Sequence, residues 1–129
     1  MELPSIGLGM YRVESEDVKA SVDAALKAGY RHFDTAAVYR NEAALGAALR
    51  DLLLLHGLSR AEVFVTSKLA PADHGYEECK VAVQKSWEAL GLGAIDLYLV
   101  HWPGKAKLPP GSPEHSRYRR ETWMALEAC

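Results

Sequence analysis

The chain of 129 residues has two cysteines, Cys79 and Cys129, and they stand alone. Without a CxxC pair or histidines at ligand spacing, neither a zinc site nor a disulfide framework is expected. A reducing, cytoplasmic setting is the default expectation. No run of about 18 apolar residues occurs, so no membrane-spanning helix is expected. The amino end, MELPSIGLGMY, has no basic segment ahead of an apolar one, which argues against a secretory leader. Charge is nearly balanced at a formal −2, which leaves no electrostatic footprint for nucleic acid. The short basic cluster of Arg117, Arg119 and Arg120 sits beside Glu114 and Glu121 and reads as a solvated helix start. Glycine-rich phosphate loops are missing too: Gly7-Leu8-Gly9 is a lone pair in a strand, and neither GxGxxG nor a Walker pattern occurs. What remains is 49% hydrophobic, an ordinary composition for one domain over residues 1–129.

Within that composition strands and helices alternate. Pro4 to Val13 reads as a first strand, with Ile6 and Leu8 on one face. Ser15 is a good N-cap, Val18, Val22, Ala25 and Leu26 recur at helical spacing, and Gly29 supplies the stop. Arg31 to Asp34 reads as a second strand with Phe33 pointing inward. After a loop, Asn41 caps a helix that carries Leu45, Ala48, Leu49, Leu52 and Leu53 and ends near Gly57. Glu62 to Leu69 is β-branched and aromatic, as a buried third strand should be. Tyr76, Cys79, Val83, Trp87 and Leu90 mark a third helix stopped at Gly91, and Ala94 to Val100 a fourth strand. The segment from Gly104 to His115 holds three prolines and reads as loop. Tyr118 opens a fourth helix with Trp123 and Leu126 at helical spacing. Four such units predict an α/β fold with a parallel sheet and right-handed crossovers.

In folds of this kind chemistry collects at the carboxyl ends of the strands. Asp34, Lys68 and His101 fall there, and Tyr39 lies five residues beyond Asp34. Each has an ordinary reading when taken alone. Asp34 suits a turn, Tyr39 packing, Lys68 a surface stem, and His101 a satisfied core position. Together they suit proton transfer. Reducing a carbonyl by hydride needs a proton donor as charge develops on oxygen, and a free phenol, with a pKa of about 10, donates sluggishly at neutral pH. A neighbouring ammonium (Lys68) would favour the phenolate of Tyr39, and Asp34 would keep that ammonium charged and oriented. His101 would donate a hydrogen bond to the carbonyl oxygen.

The stretch Gly29 to Gly46 fits the pattern G-[F/Y]-R-H-[apolar]-D-T-A, five residues, E, two residues, [apolar]-G at every position. In this it closely resembles the aldo-keto reductase family. The resemblance runs from IGLGMY near the amino end to ETW-x-ALE near the carboxyl end and covers the first half of the family's fold. It implies a partial (β/α)8 TIM barrel of about four strand-helix units, without the family's amino-terminal hairpin. It implies that Asp34 in FDTA, Tyr39 in VYRNE, Lys68 in TSKL and His101 in VHWP correspond to the catalytic tetrad. The reaction implied is NADPH-dependent reduction of a small aldehyde or ketone, with the proton from Tyr39.

By the same resemblance Met10, Tyr11 and Asp34 belong to the cofactor end of the site, and Tyr11, His101 and Trp102 to the substrate end. Met10 departs from the small polar residue common in the family. The family's remaining NADP(H) contacts lie in its second half. The expectation is therefore a truncated member with little or no activity, in which open barrel edges favour self-association. The alternative is a non-catalytic interaction or regulatory module, since the family's fold also serves as an accessory subunit of potassium channels. No nucleic-acid or membrane partner is expected.

Overall fold

The computed structural model describes residues 2–129. Its elements are β1 (Leu8–Gly9), α1 (Ser15–Lys27), β2 (His32–Asp34), α2 (Glu42–Leu55), β3 (Phe64–Leu69), α3 (Tyr76–Leu90), β4 (Leu97–Val100) and α4 (Glu114–Glu127). Single 3-10 turns occupy Ala37–Tyr39, Arg60–Glu62 and Pro71–Asp73. The strands form one parallel sheet in the order β1-β2-β3-β4, with Phe33 opposite Val65 and Lys68 opposite Leu99. Consecutive parallel neighbours joined by helices are the first four units of a (β/α)8 barrel.

Side chains alternate across a strand, so the sheet has two faces. Phe33 and Val65 lie on the helix-covered face in one buried cluster with Val18, Val22, Leu45, Leu49 and Leu90. Phe33 thus points into the layer between sheet and helices, and not toward the barrel axis. A second cluster joins Leu69, Cys79, Ala82 and Ala125. Burial there pushes the Cys79 thiol up to about 11, consistent with a small core residue. The opposite face carries His32, Asp34, Lys68, Leu99 and His101.

Helix ends follow the expected chemistry in part. Beyond α1, Gly29 takes φ +92°, and its N–H donates to the Leu26 carbonyl while that of Tyr30 donates to Ala25. That pair of bonds is a Schellman stop. Ser15, by contrast, is the first helical residue, and the N-cap position falls to Glu14 without a side-chain bond.

The strands are shorter than the sequence suggests, and each shortening has a local cause. Only Leu8 and Gly9 pair in β1; Ile6 is 63% exposed, and a turn closes from the Val13 N–H to the Met10 carbonyl. The third strand starts at Phe64 because Glu62 accepts bonds from both the N–H and the hydroxyl of Ser59, which holds residues 60–62 in a turn. The fourth starts at Leu97 because the Asp96 carboxylate accepts the Val65 N–H, at 2.7 Å, and pairs with Arg60.

Helix α4 begins four residues before Tyr118. Arg117 pairs with Glu114 and Glu121 at i,i−3 and i,i+4 and supports that early turn. Trp87 and Trp123, placed on apolar stripes by their spacing, are 45% and 60% exposed, and Ser86, Thr122 and Ala125 are buried instead. No helix among the described residues is long and apolar enough to cross a membrane.

Candidate active site

Three strand ends and one turn build the site. Asp34 closes β2, Lys68 is the fifth residue of β3, and His101 follows β4 directly. The turn Ala37–Tyr39 brings Tyr39 back over the strand ends, and Arg40, in the left-handed region at φ 59°, turns the chain into α2. The Lys68 ammonium donates to Asp34 Oδ1 at 2.5 Å and to the Thr35 carbonyl at 2.9 Å. Its third proton is directed at the Tyr39 hydroxyl at 3.4 Å. All three ammonium donors are therefore directed. The lysine side chain is only 12% exposed and that of Asp34 32%.

His101 meets Tyr39 edge to face with ring centroids 5.6 Å apart. Its Nδ1 is buried without a hydrogen-bond partner among the described residues. Burial and then the positive charge of Lys68 pull the His101 pKa down, with Asp34 opposing. The imidazole is consequently neutral at pH 7 and able to donate from one nitrogen. An NMR titration of the His101 ring is expected to give a midpoint below the ordinary 6.5; a midpoint at or above it contradicts this environment. The sign for stability follows. As pH falls through 6.5 the unfolded chain takes up the proton first, so the contribution of His101 declines from there to the folded midpoint.

The flanking residues divide. Tyr11, 61% exposed, tilts its ring onto Tyr39 at 5.2 Å between centroids. Trp102, also 61% exposed, stacks on His101 at 6.4 Å and borders a cleft of about 470 Å³ formed with Pro71, Lys105, Leu108, His115 and Arg119. Met10, expected at the cofactor end, is fully buried in the helix-side core. Its side chain is absent from the open face: Leu8 packs against the helix-side core, the Met10 N–H still donates to the Asp34 carbonyl, and alternation turns Met10 to the same side as Leu8.

Two supports of the site are not visible in the sequence pattern. Asn41 stands at the N-cap of α2 but makes no side-chain cap bond. Its amide nitrogen donates to the Met10 and Val13 carbonyls, and its oxygen accepts the Thr35 hydroxyl. Asn41 thus ties the turn carrying Tyr39 to the loops after β1 and β2. Asn41→Ala leaves these buried groups unpaired and is expected to cost about 1–3 kcal/mol, read as a lower urea midpoint; an unchanged midpoint contradicts the role. His74, 1% exposed, bonds the Thr122 hydroxyl with one ring nitrogen and the Trp102 carbonyl with the other. A lone histidine in DHGYE carries no spacing signal for either partner.

The model of the aldo/keto reductase family matches residues 5–129. Glyoxal reductase of Bacillus subtilis (strain 168) is 43% identical over 128 residues, which are 98% of this chain and 41% of that protein. Glycerol 2-dehydrogenase (NADP(+)) of Saccharomyces cerevisiae is 47% identical over 109 residues, 84% of this chain and 32% of that protein. Among solved structures, the Bombyx mori aldo-keto reductase in complex with NADP superposes with a TM-score of 0.83 at 34% identity, covering 98% of this chain and 42% of that one. The chain spans about two fifths of the length of the curated relatives it matches along nearly its whole length.

Proposed function

The chain belongs to the aldo/keto reductase family, and from that premise we propose that it carries the proton-delivering part of a site that reduces an aldehyde or ketone to an alcohol. One observation carries the reading: the Lys68 ammonium is held by Asp34 at 2.5 Å and stands 3.4 Å from the Tyr39 hydroxyl. Tyr39 gives its proton to the carbonyl oxygen, and the ammonium stabilises the phenolate left behind. Asp34 keeps Lys68 charged and aimed. His101, its imidazole held neutral by burial and the Lys68 charge, orients the carbonyl by a hydrogen bond.

NADP(H) fits the same end of the sheet. The exposed ring of Tyr11 beside Tyr39 offers a flat surface at the reacting centre, and Tyr11 with Asp34 would hold the nicotinamide. When bound, NADPH supplies the hydride. Trp102 forms an apolar wall for the substrate, seated by the bond from His74 to its carbonyl. The two free cysteines suit a reducing, cytoplasmic compartment.

On its own the 129-residue chain is expected to turn over little or not at all. Tyr11 and Trp102 are open to water, and carbonyl reduction requires a site that excludes it. NADPH oxidation with glyoxal should therefore be followed in two preparations: the chain alone, and the chain joined to the part of the Bacillus subtilis reductase that it does not span. Turnover by the joined protein, reduced about 10²–10⁴-fold by Tyr39→Phe, supports the reading. A Tyr39→Phe protein with the parental rate refutes it.

A second reading is a non-catalytic module that pairs with its own copy. It is favoured by β4, an edge strand on which Leu99 is 39% exposed. A defined dimer of the chain alone in gel filtration, without turnover, would favour it.

A further inference from the structure

Glu42 fills the acidic position of the Gly29 to Gly46 pattern without any part in the proton transfer described above. It is the first residue of α2 and is 9% exposed. Its carboxylate accepts the Ser67 hydroxyl at 2.6 Å with one oxygen and the Ser86 hydroxyl at 3.2 Å with the other. Ser67 and Ser86 are themselves 0% and 1% exposed. The neighbouring Tyr98 hydroxyl is also buried, and burial raises its pKa. A carboxylate is costly to bury unless it is bonded, and here its position at a helix N-terminus and the two hydroxyls offset that cost.

The connectivity gives this hub its significance. Glu42 lies three residues beyond Tyr39, and Ser67 immediately precedes Lys68. Successive residues of a strand face opposite sides of the sheet. The Glu42–Ser67 bond therefore clamps, from the helix side, the two segments whose side chains meet on the open side. Asn41 holds the same turn toward the loops after β1 and β2, and Glu42 ties it to β3 from the helix side. The Tyr39–Lys68 separation of 3.4 Å is at the limit of a hydrogen bond, so a small drift of the turn breaks it.

We propose that Glu42 is a positioning residue for the Tyr39–Lys68 pair, acting through Ser67. The proposal rests on the proton-transfer reading above, and its test is geometric, so the two fail separately. In the full 129-residue chain, the NMR cross-peak between the Lys68 methylene protons and the Tyr39 ring reports the pairing. Glu42→Ala is expected to lose the cross-peak, while Glu42→Gln, which can still accept from Ser67, retains it. Should Glu42→Ala fail to fold, the Ser pair decides. Ser67→Ala is expected to lose the cross-peak and Ser86→Ala to keep it, although each removes one bond from the same carboxylate. Retention of the parental intensity in Ser67→Ala overturns the proposal. So does equal loss in both serine variants, which would reduce Glu42 to general packing. If the cross-peaks behave as expected while Tyr39→Phe leaves turnover of the joined protein untouched, the functional reading fails and the positioning role stands.

Discussion

Lys68→Met is expected to lower carbonyl reduction by the joined protein about 10²–10⁴-fold and to destabilise the chain by about 1–3 kcal/mol. Methionine nearly matches the lysine stem in volume, so packing is little disturbed and the loss isolates the charge. Two effects follow from removing one ammonium. The Tyr39 hydroxyl loses the cation 3.4 Å away that stabilises its phenolate. On the folding side, Asp34 Oδ1 and the Thr35 carbonyl lose their donor in a setting where the lysine is only 12% exposed. Removal of one member of a fully buried pair costs about 3–5 kcal/mol; Asp34, at 32% exposure, keeps access to water, which places the cost below that range. Kinetics and urea denaturation on the same preparation check both halves. A variant with parental rate and parental midpoint would remove Lys68 from the account.

Gly46→Ala is expected to cost about 2–3 kcal/mol, the upper end of what overpacking produces, and to lower the urea midpoint accordingly. A Cβ at position 46 would lie 1.9 Å from the Leu90 carbonyl oxygen and 2.6 Å from its carbon. The obstacle is backbone at the end of α3, which cannot rotate aside as a side chain can. The same carbonyl accepts a bond from Arg50 at 2.8 Å, so pushing α2 off α3 breaks that bond as well. Alanine gains about 1 kcal/mol of helix propensity over glycine, too little to offset the displacement. Because α2 begins at Glu42, the displacement also reaches the Tyr39 turn. Equal or greater stability of the variant would mean that the two helices do not approach this closely.

Much of the helix layer was legible because its signals are local. Val18, Val22, Ala25 and Leu26 of α1, and Leu45, Ala48, Leu49, Leu52 and Leu53 of α2, recur at helical spacing and are all buried. Asp34, Tyr39, Lys68 and His101 were legible by their place after strands, and the fold brings them together. The rest depends on partners far away in sequence. Periodicity put Trp87 and Trp123 inside, yet Ser86 is buried against Glu42 of α2, and Ala125 and Thr122 are buried where α4 meets α3 and the residues before it. Asn41 offers a standard cap, but three tertiary bonds outcompete that local use. The hubs at Glu42 and His74 join residues 25 to 48 positions apart, a separation at which no local pattern exists. Met10 lies two residues beyond Leu8 and so shares its helix-side face in the core, whereas the resemblance implies a place at the cofactor end.

The most direct test of the central claim, that Lys68 acts through Tyr39, is a double-mutant cycle on NADPH-dependent glyoxal reduction by the joined protein. Tyr39→Phe, Lys68→Met and the double variant would be compared with the parent. Residues that work as one unit are non-additive, so the double variant is predicted to be no slower than the slower single variant. Losses that multiply in the double variant would contradict the account, because the ammonium and the phenol would then contribute independently.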